Sequence, residues 1–208
     1  MTEDLILYTH PMSRGRMIRW LLEEIGAPYR TEILEYGGSM KAPEYLSINP
    51  MGKVPALRHG DAVVTETAAI CAYLADAFPA AKLAPPPSAR ADYYRWLFFT
   101  AGPLEAAVTN RTLGVQVPDE KRGFVGYGSY EAVLDALEKA VAGKTYIAGG
   151  QFSAADVFVG GHLNYGMMFG SIEKRPAFEA YWSGLSTRPA FKRAMDIDND
   201  LMAAREKG

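Results

Sequence analysis

Three short stretches in the first third of the chain carry residues whose types and spacing suit chemistry on a small polar ligand. The first is "YTHPMSRGR", residues 8–16, which starts on the last residue of the apolar run "LILY". Ser13 stands where a strand ends and a helix is expected to begin. Backbone N–H groups at a helix start point outward, and the helix dipole adds partial positive charge, so an anion is favoured there. A hydroxyl in that place can donate to a bound thiolate, or it can simply cap its own helix. The second stretch is "NPMGKVPAL", residues 49–57. Pro55 has no N–H, so its strand should lie at a sheet edge or begin there. An edge leaves backbone groups open to an extended ligand. A cis Val54–Pro55 bond would aim the N–H and C=O of Val54 outward. Only about 5–6% of X–Pro bonds are cis, so the plain reading is a turn into an edge strand. The third stretch is "VTETAAI", residues 64–70. Glu66 and Thr67 stand where a strand gives way to a helix. The hydroxyl and N–H groups suit a carboxylate and Glu66 suits an ammonium; the alternative is an ordinary cap with acid near the dipole.

These stretches need elements to hold them. "DLILY" (4–8) reads as a strand and "SRGRMIRWLLEEIG" (13–26) as a helix, with Met17, Trp20, Leu21, Leu22 and Ile25 at helical spacing and Gly26 closing it. "PYRTEIL" is a second strand and "KAPEYLSINP" a short irregular or helical piece. "KVPAL" and "AVVTE" are strands joined by the hairpin signal "RHGD". "TAAICAYLADAF" is an Ala-rich helix stopped by Pro79. The expected product is a small mixed sheet with helices on its faces.

Residues 79–88, "PAAKLAPPPS", suit a semi-rigid linker. Everything beyond reads helical. A long pattern is disturbed at Gly102-Pro103, "YEAVLDALEKAVAG" is amphipathic, and Ser153 with Asp156 makes a capping-box signature. "RPAF" occurs at 175–178 and 188–191, each time with Pro at a helix start. The division expected is an α/β domain over 1–78, a linker over 79–88 and an all-α domain over 89–208.

Composition narrows the chemistry. The chain has 208 residues, 49% hydrophobic and 22% charged, with a net charge of −2, which is ordinary for a globular protein. No basic block suggests nucleic acid. The single cysteine, Cys71, excludes an internal disulfide and a paired-cysteine metal site. His10, His59 and His162 are too scattered for a zinc motif. The start of the chain lacks a signal-peptide pattern and no apolar run reaches a membrane span of about 18 residues, so a cytoplasmic protein is expected.

Taken together, "YTHPMSRGR", "NPMGKVPAL", "TET" and "YIAGGQFSAADV" (146–157), in this order and spacing, resemble the cytosolic glutathione transferase family over nearly the whole chain. The resemblance implies a thioredoxin-like first domain, an all-α helical-bundle second domain, and usually a homodimer. Glutathione would be the co-substrate, with no metal. Val54, before a cis Pro55, would pair with the cysteinyl backbone of glutathione. Glu66 and Thr67 would hold its γ-glutamyl end. Lys53, and with it Lys41, would meet its glycyl carboxylate. Ser13 would donate to its sulfur, with Tyr8 the rival donor. An electrophilic, largely apolar substrate would lie over the sulfur, against Tyr8, Met12, Phe99 and Tyr165. The reaction implied is attack of the thiolate on that substrate, in the manner of a detoxification enzyme. Peroxide reduction, isomerisation, dehalogenation, or a non-catalytic binding or association role on the same fold are the alternatives.

Details of spacing choose among branches of the resemblance. Gly15 comes seven residues after Tyr8, two more than in the tyrosine-using branches, so the loop resembles the serine-type, bacterial-like branch. No cysteine stands in the loop, unlike the thiol-exchanging branches. Cys71 reads as a small core residue, and His10 as a solvent-facing loop residue. Tyr94 replaces an acidic residue of many relatives, which weakens the expectation of a cross-subunit carboxylate. Tyr93, Trp96, Phe98 and Phe99, like Tyr165, Met167, Met168 and Phe169, have two uses open to them: core packing or a pocket wall.

Overall fold

A computed structural model describes residues 5–205. Asp4, which opens the first expected strand, and the outermost ends of the two expected domains lie outside the described residues. β1 (Leu5–Thr9) is followed by α1 (Gly15–Ile25), β2 (Arg30–Ile33), a 3-10 turn (Ser39–Lys41), the single-turn α2 (Pro43–Leu46), β3 (Ala56–His59), β4 (Ala62–Thr65) and α3 (Thr67–Ala77). The sheet order is β2-β1-β3-β4, with β1 parallel to β2 and antiparallel to β3. β1 is thus an inner strand, and all five of its residues are buried, as expected for a run that is apolar on both faces. Ile6 and Tyr8 pack with Met40, Tyr45 and Ala56 on one face. Leu5, Leu7 and Thr9 alternate to the other, where Thr9 meets α1. The mixed sheet, the hairpin turn at Gly60 and the helix ended by left-handed Gly26 are as expected.

Of the two places open to Pro55, a sheet edge or a strand start, the structure shows the second. β3 lies between β1 and β4, so the strand after Pro55 is internal. Pro55 is accommodated because the ladder begins at Ala56, one residue later.

The described residues divide into two compact units: the chain up to Lys82 together with the chain from Thr187, and Leu83–Ser186 between them. In the second unit α4 (Ala91–Phe99) runs through a π turn (Thr100–Leu104) into α5 (Glu105–Thr112), followed by α6 (Tyr130–Val141), α7 (Ala154–Phe169) and α8 (Pro176–Ser186). The disturbance expected at Gly102-Pro103 is that π turn. A proline inside a helix cannot donate to the ladder, and the wider turn absorbs the loss. α7 is buried over its first turns. Its Asp156 accepts from the N–H and hydroxyl of Ser153, the Ile147 N–H and the Tyr181 hydroxyl at 2.7–2.9 Å.

The last helix, α9 (Pro189–Arg205), belongs to the first unit. The expected all-α domain over 89–208 therefore gives up its final segment, and the first unit runs four residues into the expected linker, to Lys82. α1 explains why. It buries Met17, Ile18, Arg19, Trp20, Leu21 and Leu22, a band too wide for one sheet face to cover. α9 covers the remainder with Ala190, Ala194 and Asp198. Arg19 Nε donates to Asp198 Oδ1 at 2.9 Å, Arg188 makes two bonds to Glu24, and Arg193 reaches Glu23.

Candidate functional site

Register brings the three chemical stretches together. Tyr8 pairs with Ala56, and Ala56 pairs with Thr65. The loop after β1, the segment before β3 and the segment after β4 therefore leave the same end of three adjacent strands, each about 4.8 Å from the next. Ser13, Val54 and Glu66 each stand just outside that row.

The Ser13 loop is held from within. Ser13 Oγ donates to the His10 carbonyl at 2.7 Å and accepts the Gly15 N–H at 3.0 Å. Ser13 is not the residue adjoining α1: Arg14 occupies that place and makes no side-chain cap. The serine nevertheless satisfies an N–H of the first turn, so the capping expectation holds in substance. Thr9 Oγ1 lies 3.5 Å from Ser13 Oγ and donates to the same His10 carbonyl at 3.3 Å. Gly15 has to be glycine, because a Cβ there would sit 1.8 Å from Thr9 Oγ1. Arg16 Nε donates to the Pro11 carbonyl at 2.5 Å, and Arg16 Nη2 to Asn199 of α9.

His10 corrects its expectation. It is 5% exposed, not solvent-facing. Its Nδ1 accepts the Met12 N–H at 3.1 Å, its ring lies 4.5 Å from that of Tyr36, and its Nε2 is 3.9 Å from Glu35, which pairs with Arg205. Burial, and then Arg205, lower its pKa against the opposing pull of Glu35. Met12 itself is exposed, and its carbonyl accepts from the Tyr36 hydroxyl.

Tyr8 packs into the cluster with Met40, Tyr45 and Ala56. It is 8% exposed, with its ring 5.8 Å from that of Tyr45. The Val54–Pro55 bond is cis. The segment before it is built by side chains: Asn49 Nδ2 and the Tyr45 hydroxyl both donate to the Lys53 carbonyl, and Asn49 Oδ1 accepts the Met51 N–H. Burial pushes the Tyr45 hydroxyl up to about 12, so it stays a donor. Gly52 has φ +56 and lies where a Cβ would be 2.7 Å from the Met40 carbonyl. Lys53 is exposed. Lys41 Nζ donates to the carbonyls of Met51 and Gly52, which makes it a brace of this loop.

Glu66 is exposed and holds φ 68, ψ 120 at the start of α3. A left-handed φ on a residue with a Cβ costs about 1–3 kcal/mol and clusters at functional sites. Thr67 follows it, half-buried, as the first residue of α3. Phe99 and Tyr165 belong to the second unit, both half-buried, against Trp96 and Phe169 respectively. Tyr93 and Trp96 are core residues there, whereas Phe98 is exposed. Cys71 is fully buried, and burial pushes its thiol pKa up, away from any role as a nucleophile. Among the described residues no three His, Cys, Asp or Glu side chains gather as a metal site would require, and no helix is long and apolar enough to cross a membrane.

The sequence reading missed Thr9, Arg16 and the burial of His10. The signal for Thr9 was its place as the last residue of an otherwise apolar inner strand, where a hydroxyl must find partners.

Comparison with known proteins finds two family models. Glutathione S-transferase, N-terminal domain, matches residues 3–76, and Glutathione S-transferase, C-terminal domain, matches residues 89–165. Glutathione S-transferase A of Pleuronectes platessa is 30% identical over 79% of this chain and 78% of its own. Among solved structures, a glutathione S-transferase from Xylella fastidiosa superposes with a TM-score of 0.77 at 28% identity, over 94% of this chain and 99% of that one. A glutathione transferase homolog from Sulfitobacter, solved with bound glutathione, gives 0.75 at 25% identity, over 94% and 98%.

Proposed function

The chain belongs to the glutathione S-transferase family and is a glutathione transferase, and we propose that it works as a serine-type enzyme in which Ser13 stabilises the glutathione thiolate. The observation that carries this is the common end of β1, β3 and β4, from which the Ser13 loop, Val54 and Glu66 all leave. Glutathione is an extended tripeptide, and three contact points in a row suit it. Val54 would pair with its cysteinyl backbone beside cis Pro55. Glu66 and Thr67 would take the γ-glutamyl ammonium and carboxylate. Lys53 would meet the glycyl carboxylate, with Lys41 bracing the loop that carries it and offering the third of its ammonium donors.

The energetics suffice. A free thiol titrates near about 8.5, and lowering that by about two pH units takes about 2.7 kcal/mol in favour of the anion. One hydrogen bond to a charged group contributes about 1.5–3 kcal/mol and a helix N-terminus about 0.3–1. Ser13 with the start of α1 covers this without a covalent intermediate. The packing of Tyr8 into the cluster with Tyr45 favours Ser13 over Tyr8 as donor. The thiolate would attack an electrophilic, largely apolar substrate over the sulfur, on the side of the exposed Met12. The reading extends to a homodimer in the cytosol, the usual state of the family, which sedimentation would test.

Ser13→Ala should raise the pKa of the bound thiol by about one to two and cut kcat by about 10- to 100-fold, with little change in glutathione KM. Thiolate absorbance against pH measures the first. An unshifted titration in the variant would remove Ser13 from the mechanism.

A further inference from the structure

The Ser13 hydroxyl has one proton, and in this structure that proton is given to the His10 carbonyl at 2.7 Å. A serine that stabilises a thiolate must turn the same proton toward the sulfur. The carbonyl would then lose its near donor inside a mostly buried loop, a cost that opposes activation. The Thr9 hydroxyl meets this need. It is fully buried, it donates to the same carbonyl at 3.3 Å, and it lies 3.5 Å from Ser13 Oγ. It also sits in a recess that exists because residue 15 has no Cβ.

We propose that Thr9 is a positioning residue for Ser13: its hydroxyl keeps the His10 carbonyl satisfied when the Ser13 proton swings to the sulfur. Thr9 does not touch the ligand. Thr9 also has a single proton, and it is the bond to the His10 carbonyl that lowers the cost of releasing the serine proton. The inference rests on the assignment of Ser13 as the sulfur's donor.

The test is a double-mutant cycle on the full-length enzyme, reading the pKa of bound glutathione from thiolate absorbance, with kcat and KM beside it. Thr9→Val keeps the shape and removes the hydroxyl; Thr9→Ala does so without placing a methyl against the carbonyl. Each should raise the bound thiol's pKa by about 0.5–1 and lower kcat about three- to tenfold at unchanged glutathione KM. Thr9→Ser should restore both. In a Ser13→Ala background the Thr9 changes should add nothing to the thiol pKa. If Thr9→Val does not fold, Thr9→Ala against Thr9→Ser carries the comparison. A wild-type thiol pKa in the folded hydroxyl-free variants, with Ser13→Ala still shifted, overturns the role of Thr9 alone. An equal shift in the Ser13→Ala background overturns it too, since Thr9 would then act by another route. An unshifted Ser13→Ala overturns the assignment beneath it.

Discussion

At the scale of single residues, the loop after β1 is a set of small polar groups that each serve two partners. Ser13 donates to one carbonyl and accepts one N–H, and His10 accepts the Met12 N–H with a ring nitrogen that must be unprotonated to do so. That gives the loop a pH dependence. The His10 pKa is lowered from 6.5 in the folded chain, first by burial and then by Arg205, with Glu35 pulling the other way. Tyr36 is the ring packed against it. A base that titrates lower when folded binds more protons when unfolded. Its contribution to stability is therefore complete above about 6.5 and is lost as pH falls from there toward the folded value. Urea midpoints at pH 7.5 and 5.5 should differ more for the wild type than for His10→Asn, which keeps an acceptor for the Met12 N–H but does not titrate. Equal differences would show that His10 does not carry the effect. The places of Ser13, Val54, Glu66 and Thr67 in the fold were legible in the sequence because each stands at a punctuation mark: a strand end, an X–Pro bond, a helix start. Thr9 and His10 were not, because what matters in them is depth, and depth is decided by β2 and α9, which come much later in the chain or carry no motif of their own.

At the scale of elements, α1 is the piece on which the site depends, and α9 is what holds it. The buried Arg19–Asp198 pair ties them: the two side chains are 2% and 1% exposed. Arg19 Nη1 also reaches Tyr29 and Thr31, while Arg19 Nη2 and Asp198 Oδ2 lack hydrogen-bond partners. Burial raises the Asp198 pKa more than Arg19 lowers it. The pair is thus a poor source of net stability but a costly thing to break. Asp198→Ala, which strands a buried guanidinium, should lower stability by about 3–5 kcal/mol. Arg19→Met with Asp198→Leu should recover most of that. Denaturant midpoints decide; a loss in Asp198→Ala below about 1 kcal/mol would show the guanidinium already solvated. The strands and most helices were readable from the chain because their apolar spacing is local. The partner of α9 was not. Its buried stripe is Ala190, Ala194 and Asp198, two small residues and a charge, and such a stripe carries no hydrophobic period pointing to a partner. The clue lay instead in α1, whose "MIRWLL" is apolar around too much of its circumference for one-sided burial.

At the scale of the whole molecule, the first unit is discontinuous: it is closed by residues that follow the entire second unit. Its ties span the chain, with Arg16 to Asn199 and Arg19 to Asp198 separated by 183 and 179 residues. Closing such loops costs entropy before any packing is gained, and α1 cannot bury its outer face until α9 arrives. The family division at a proline-rich linker suggests an N-terminal piece able to fold alone; the packing of α1 argues otherwise. A fragment of residues 1–88 would leave Trp20 without Phe191 at its edge, Glu24 without Arg188 and Arg19 without Asp198. Uncovering one buried Trp-sized side chain costs about 1.5–3 kcal/mol by area alone, and a buried guanidinium without its partner costs about 3–5 more. A unit of this size holds only about 0.05–0.15 kcal/mol per residue in reserve. The fragment should therefore lack near-UV circular dichroism and dispersed amide resonances. A synthetic peptide of residues 187–208, added in trans, should restore both, together with binding of glutathione. A fragment that folds and binds glutathione without the peptide would show that α9 rests on a first unit complete in itself.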